Sequence, residues 1–269
     1  MTIEVLLPAV FAALVAILVT VAIERFGGRV GGLIATLPST IVPASIGFYG
    51  ESENYAHAMW AVPVGMTVNF LFLWSWRWLP RFAGRSGRLA KVLAASLCLW
   101  ALAAGSAVWL LGRLEASLSV LAWGVTLVTM VLGAWACTRN PPTPYKARRV
   151  GVWTLLSRGV LAGLAIAVAV LLSKQNPLLA GMASVFPAIF LTTMVSLWLA
   201  QGEDFQASAV GPMMLGSTAV SVYALIATYS LPEWGVWAGP AVAWLGSSLL
   251  VTLPAWWWLE RLRRSSLEA

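Results

Sequence analysis

The residues that could bind a solute cluster around two prolines, Pro38 and Pro187, each inside a long apolar run. Proline removes a backbone donor and clashes with the carbonyl four residues earlier, so a helix kinks or breaks there and frees carbonyl groups. Freed carbonyls, hydroxyls and half-helix N-termini can together bind a polar solute. The pattern therefore predicts a binding site, and close helix packing is the alternative. The hydroxyl residues around the two prolines are Thr36, Ser39, Thr40, Ser45, Ser184, Thr192 and Thr193.

Two more polar side chains, Asn69 and Arg158, lie within apolar runs. A buried amide without a partner costs about 1–3 kcal/mol, so Asn69 must meet either another helix or a substrate. Arg158 either extends its guanidinium toward the nearer membrane interface or faces a cavity and balances an anionic or zwitterionic solute. We include both residues in the predicted substrate-binding set.

Three carboxylates, Glu53, Glu203 and Asp204, are the residues that could couple transport to protons, although a solvated loop position is the alternative for each. The chain has one histidine and two cysteines, and no cluster of metal-ligating residues inside an apolar run. We therefore expect no metal site and no cofactor. Sequence motifs of hydrolases and nucleotide-binding proteins are missing as well, so we do not expect an enzyme.

The composition indicates a polytopic membrane protein with an all-α fold. Of 269 residues, 60% are hydrophobic and 10% are charged, and the mean hydropathy is +0.83. A soluble domain carries about a quarter charged residues. These values exclude a soluble enzyme and a disordered chain. They also exclude a nucleic-acid partner despite the net charge of +7, because basic residues in membrane proteins mark cytoplasmic loops.

Nine apolar runs are long enough to cross a bilayer as helices. Alternating loops then place fourteen basic residues on one side and two on the other, with Arg158 inside a span. By the positive-inside rule the N-terminus is outside and the C-terminus is cytoplasmic. The predicted spans are 4–24, 30–50, 56–79, 88–111, 117–138, 152–173, 177–200, 205–230 and 235–259.

The two halves of the chain resemble each other at an offset of 149 residues. The segment GGLIATLP at 31–38 aligns with AGMASVFP at 180–187, and Pro63 aligns with Pro212. Spans one to four pair with spans six to nine, and this odd shift turns one half upside down relative to the other. The predicted architecture is an inverted 4+1+4 repeat. Its units are residues 1–112, a linker span and loop at 113–150, and residues 151–269.

Inverted repeats with interrupted helices are typical of secondary transporters that work by alternating access. We therefore expect a transporter, and more specifically an exporter, of a small organic solute. A passive channel is one alternative, and a non-transporting accessory protein of envelope or lipid metabolism is the other. The expected partners are the solute and the lipid bilayer, with the oligomeric state left open.

The second half carries a set of paired small and polar residues in a fixed order. They are Arg158-Gly159 with Gly163, Ser173-Lys174, Ala180-Gly181, Phe186-Pro187 and Gly202-Glu203. On these residues the block 158–232 resembles the GlpM-like family of small bacterial membrane proteins, whose members are similar to single four-span units. The resemblance implies a fused duplicate of that unit in the bacterial inner membrane. In the first half, Gly27-Gly28 replaces the Asn-Pro that precedes the glycine pair.

Overall fold

The computed structural model describes residues 3–26, 37–51, 55–84, 86–113, 117–139 and 151–268. These residues form helices and short turns, without a strand among them, so the predicted all-α fold is confirmed. Within this part of the chain, six helices are long and apolar enough to cross a membrane. The length and composition of these six helices are compatible with a membrane protein.

The helices are numbered along the chain. They are α1 (Ile3–Phe26), α2 (Val42–Glu51), α3 (Tyr55–Phe82), α4 (Arg88–Leu111), α5 (Leu118–Arg139), α6 (Val152–Ser173), α7 (Pro177–Ser184), α8 (Ala188–Gln201), α9 (Glu203–Ser247) and α10 (Leu253–Glu268). A π-helical turn, Ser248–Thr252, joins the last two. The apolar stretch 177–199 combines α7 and α8 into one candidate span, and the candidate at 203–262 combines α9, the π turn and most of α10.

The boundaries of α7 and α9 follow from local sequence. Asn176 precedes α7, and its side-chain oxygen accepts hydrogen bonds from the backbone N–H groups of Leu178 and Leu179. Pro177 occupies the first turn, where no backbone donor is needed. Gly202 separates α8 from α9 with φ of 90°, a conformation that favours glycine. The chain can therefore change direction there without strain.

Helix α9 is a helical hairpin. A straight helix of 45 residues would be ~68 Å long, far more than one bilayer crossing needs. The backbone leaves the helical conformation at Gly235, where φ is 72° and ψ is −178°. Beyond this point the Ser230 hydroxyl donates to the Gly239 carbonyl over 2.8 Å, and Gly246 lies against Ile226. The arms 203–234 and 236–247 are therefore antiparallel.

Helices from the two halves of the chain pack closely at small residues. A Cβ atom on Gly159 of α6 would lie 2.7 Å from the Ile17 side chain of α1, and one on Gly163 would lie 3.0 Å from the Ala9 carbonyl oxygen. The two helices therefore approach each other closely at these glycines. Gly181 of α7 likewise has no room for a side chain, because the Ala58 carbonyl of α3 lies against it.

Helix α3 lies at the centre of the bundle and α4 at its periphery. In the 18-residue apolar stretch of α3 that could cross the membrane, 67% of the residues are buried, whereas in the corresponding stretch of α4 only 17% are buried. The buried core contains Phe48, Trp76 and Tyr223. Large apolar side chains such as Leu102 and Val131 are exposed instead. An exposed apolar surface of this kind suits contact with lipid.

Candidate solute-binding site

The second predicted helix interruption is present at Pro187. Helix α7 ends at Ser184, Val185 to Pro187 are not helical, and α8 begins at Ala188. The Ser184 hydroxyl donates to the Gly181 carbonyl within α7 over 2.7 Å. The interruption exposes backbone carbonyls to neighbouring helices, as the sequence predicted.

Asn69 of α3 donates a hydrogen bond to a backbone carbonyl in the interruption. Its side chain is 1% exposed, and its Nδ2 atom donates to the Val185 carbonyl over 2.7 Å. Its Oδ1 atom accepts from Trp100 Nε1 of α4 over 2.8 Å. The amide therefore bonds to two other helices. Of the two roles considered for Asn69, hydrogen bonding between helices is the one present in this structure.

The first predicted interruption lies around Pro38. Leu37 to Ile41 are not helical, and α2 begins only at Val42. Pro38 is buried, whereas Ser39 and Thr40 are partly exposed. The Ser39 hydroxyl accepts a hydrogen bond of 3.2 Å from the Trp244 indole in the second arm of α9. Two of the predicted site residues, Thr36 and Glu53, lie outside the described residues.

Arg158, Thr192 and Thr193 come together between α6 and α8. Arg158 Nε donates to the Thr192 hydroxyl over 3.1 Å, and Nη2 donates to the Thr193 hydroxyl over 3.1 Å. The Thr192 hydroxyl also donates to the Ala188 carbonyl in the first turn after the break. With 7% of its surface exposed, Arg158 has a buried guanidinium and does not extend it into water. These contacts join the cluster to the interruption at Pro187.

The structure therefore divides the predicted site residues into two groups. Asn69, Ser184, Pro187 and the cluster at Arg158 surround the second break, whereas Ser39, next to Pro38, contacts the second arm of α9.

Sequence reasoning missed two tyrosines that link the halves of the chain. The Tyr223 hydroxyl in α9 lies 2.7 Å from the Ser45 hydroxyl in α2. The Tyr55 hydroxyl in α3 donates to the Ala227 carbonyl over 2.9 Å. Both tyrosines are buried in the apolar core. A tyrosine hydroxyl inside an apolar run needs a hydrogen-bond partner, and this requirement could have identified both tyrosines from the sequence.

Two of the three predicted coupling carboxylates, Glu203 and Asp204, are at the start of α9. Glu203 Oε2 accepts a hydrogen bond and ion pair of 2.8 Å from Arg88 Nη1 at the start of α4. Asp204 is exposed in the same turn. Negative charge at a helix N-terminus is favourable. Besides proton coupling, both carboxylates can therefore have a structural role, which is to stabilise the N-terminus of α9.

Two cavities lie at opposite ends of the helices. One, of about 640 Å³, is lined by His57, Trp60, Ser117 and Gln175 among others. The other, of about 620 Å³, includes Arg77, Arg81 and Arg139, and we call its end of the molecule the arginine-rich end. Both cavities border helix ends, away from the two proline interruptions.

No protein-family model, curated protein or solved structure shows a significant match to this chain. The functional argument therefore depends on the residues and contacts described above.

Proposed function

We propose that this chain is a nine-span secondary transporter of a small organic solute, built as two inverted four-span repeats around a linker span. The observation that carries the proposal is that the chain is non-helical at two prolines in corresponding positions. Residues 37–41 and 185–187 are both non-helical, and Pro38 and Pro187 are 149 residues apart. Interrupted helices at matching places in two halves are the best sequence indication of a transporter site.

Helix packing supports the repeat. Spans one and six correspond in the alignment, and their helices α1 and α6 contact each other through Gly159 and Gly163. Spans three and eight also correspond, and α3 contacts the first arm of α9 through the Tyr55–Ala227 hydrogen bond. Helices that are equivalent in a two-fold arrangement commonly meet at its axis. The hairpin turn at Gly235 supports counting spans eight and nine separately.

The two cavities support the predicted sidedness. A nine-span topology assigns His57, Ser117 and Gln175 to the outer side, and these residues line one cavity. The same topology assigns Arg81 and Arg139 to the cytoplasmic side, and these line the other. If the span count were wrong by an odd number, residues that line the same cavity would be assigned to opposite sides of the membrane. The proposal therefore includes an outer N-terminus, a cytoplasmic C-terminus and the bacterial inner membrane, as the GlpM-like resemblance implies.

In the proposed mechanism the breaks allow the halves to exchange conformations. Hydrogen bonds between the halves join Asn69 to Val185 and Ser39 to Trp244. A change of access would rearrange these bonds. Arg158, with the Thr192 and Thr193 hydroxyls, supplies donors suited to an anionic or zwitterionic solute. Export coupled to protons through Glu203 or Asp204 is the leading version.

A specific observation favours a second function, that of a non-transporting accessory protein. Helices α3 and α7 pack without space between them, since Gly181 touches the Ala58 carbonyl and Gly65 lies against Val185 and Met182. A tightly packed membrane centre suits a scaffold that assembles with envelope or lipid enzymes. Transport would then be lacking under every imposed gradient.

The transport test uses proteoliposomes loaded with a bacterial metabolite extract. Mass spectrometry of the outer solution compares solutes released with and without an imposed proton gradient or voltage. We expect gradient-dependent release of a limited set of solutes, reduced by Pro187→Ala and by Pro38→Ala. Release that ignores every gradient and both substitutions would contradict a secondary transporter, and single-channel currents would indicate a pore.

The topology test uses single cysteines introduced after replacement of Cys98 and Cys137 by alanine. A membrane-impermeant maleimide applied to intact spheroplasts should label a cysteine at position 175 and spare one at position 139. Labelling of both positions from the outside would contradict the nine-span count. Gly105→Cys, exposed in the middle of α4, is a control for labelling within the lipid.

A further inference from the structure

The cavity at the arginine-rich end lies between the final turns of α3 and α5 and the first turn of α9. Three guanidinium groups, from Arg77, Arg81 and Arg139, line its volume of about 620 Å³. We infer that this cavity binds the phosphate group of an anionic ligand, and that an anionic phospholipid of the surrounding membrane supplies it. The inference is independent of whether the protein transports a solute.

Aromatic rings hold two of the guanidinium groups at the cavity wall. The Trp74 and Trp135 rings are stacked with centroids 5.5 Å apart and an interplanar angle of 25°. Arg77 lies 5.2 Å from the Trp74 centroid, and Arg139 lies 5.1 Å from the Trp135 centroid. Cation–π contacts of this kind orient the planar guanidinium. The cavity therefore has donors arranged around a flat, rigid wall before any ligand binds.

The hydrogen bonds of the arginines differ. Arg77 is engaged by the protein, because its donors contact the Ala207 and Ala136 carbonyls at 3.2 to 3.4 Å. Arg81 and Arg139 are exposed, and neither donates a hydrogen bond to any residue that the structure describes. These two side chains therefore have donors for an incoming anion.

The charge of the cavity is positive. Its two carboxylates belong to Glu203 and Asp204, and Glu203 already forms an ion pair with Arg88 outside the lining. Three guanidinium groups thus face one remaining carboxylate. An anionic ligand would reduce the repulsion among the arginines, whereas a cation would increase it.

Trp76 is a buried residue of the cavity lining. Its side chain is fully buried and borders the cavity, but its indole N–H has no hydrogen-bond partner in the described part of the chain. A buried donor without an acceptor is unfavourable.

Phosphate is the anion that fits these donors best. Guanidinium groups bind phosphate oxygens through paired N–H donors in a fixed fork. Basic pockets between membrane helices near one surface are known to take phospholipid headgroups. The cavity borders helix ends, and the neighbouring Phe82 side chain is exposed and apolar. A molecule with a phosphate and an apolar tail matches both features.

The experiment measures lipid retained by the purified full-length protein with native mass spectrometry. Phosphatidylglycerol is titrated into detergent micelles, with phosphatidylcholine in parallel. We expect saturable binding of phosphatidylglycerol alone. Two exposed arginines near a membrane each contribute about a factor of five, so the double variant Arg81→Gln/Arg139→Gln should raise the dissociation constant about 10- to 30-fold.

Arg261→Gln is the matched control. Arg261 is also exposed and stacks on a tryptophan, 3.4 Å from the Trp257 centroid, but it does not line the cavity. We expect less than a twofold change. Equal weakening by the control and the double variant would overturn the site in favour of general surface charge, as would equal binding of the two lipids. All variants must elute as the wild type does from a sizing column.

A soluble competitor distinguishes the source of the phosphate. Glycerol 3-phosphate at the concentration that saturates with phosphatidylglycerol should leave the retained lipid unchanged. Displacement of the lipid at that concentration would overturn the lipid assignment and identify a soluble phosphate ester as the ligand.

Discussion

The two proline interruptions correspond in sequence but are stabilised differently. At Pro187 the freed Val185 carbonyl accepts from Asn69, an amide that is 1% exposed and also accepts from Trp100. At Pro38 the contact is a 3.2 Å bond from the Trp244 indole to the partly exposed Ser39 hydroxyl. In both cases the donor belongs to the other half of the chain. The second break is therefore held more firmly, and the first is the easier one to move.

The second break also has a charged cluster beside it. Arg158 contacts Thr192 and Thr193 one turn beyond the break. At an offset of 149 residues, the first half has Ala9 in place of Arg158. The two non-helical segments therefore differ in the polar side chains beside them. We expect solute recognition to be concentrated in the second half.

The largest effect should come from Asn69→Leu. The substitution leaves the Val185 carbonyl and the Trp100 indole without partners, and each orphaned group costs about 1–3 kcal/mol, so the free energy of unfolding should fall by about 3 kcal/mol. Unfolding in detergent, followed by tryptophan fluorescence, measures this. The matched control is Thr218→Val at the equivalent position of the second half, whose hydroxyl bonds within its own helix. Equal losses would refute the special role of Asn69.

Gly181→Ala should be next. Its new methyl group would meet the Ala58 carbonyl of α3 and force α7 away from it, which typically costs about 1–3 kcal/mol. Gly105→Ala in α4 is the control, because a Cβ there meets nothing within 4 Å. If unfolding transitions of both variants match the wild type, the tight contact between α3 and α7 is not maintained in solution.

A smaller effect is expected from the coupling between Arg158 and Thr193. In a double-mutant cycle of Arg158→Gln and Thr193→Val, we expect an interaction energy of about 1 kcal/mol, since one hydrogen bond to a charged group is shared. The cycle of Arg158→Gln with Ser208→Ala should give no coupling. Additive behaviour of Arg158 and Thr193 would show that the cluster does not act as a unit.

The smallest effect is expected at the first break. Ser39→Ala removes the acceptor of the Trp244 indole in a partly exposed setting, so we expect a loss of about 0.5 kcal/mol. The same unfolding assay applies. A loss as large as that of Asn69→Leu would reverse the proposed order of the two breaks.

Much of the fold could be predicted from the sequence. Apolar runs predicted at 56–79, 88–111 and 152–173 correspond to α3, α4 and α6 within a few residues. The predicted interruption at Pro187 is present because proline removes a backbone donor from its own helix, although α3 and α9 accommodate Pro63 and Pro212 without a break. The GlpM-like resemblance and the inverted repeat stay predictions.

The partners of the polar residues were harder to predict. A buried amide must find a partner, but the sequence does not say which one, so Asn69 was assigned to two alternatives. Tyr55 and Tyr223 were overlooked because their partners are more than 170 residues away in the chain. Arg158 was expected to extend toward the interface or face a cavity, and its hydrogen bonds to two threonines of α8 were not predicted.

By itself, the sequence determined the apolar composition, most of the described helical segments and the break at Pro187. These properties depend on hydrophobicity and on local backbone chemistry, which act over a few residues. Only the tertiary structure decided that Asn69 meets the Val185 carbonyl and that three arginines share one cavity. Those outcomes depend on how helices distant in sequence pack, because small residues such as Gly181 set their distance and rotation.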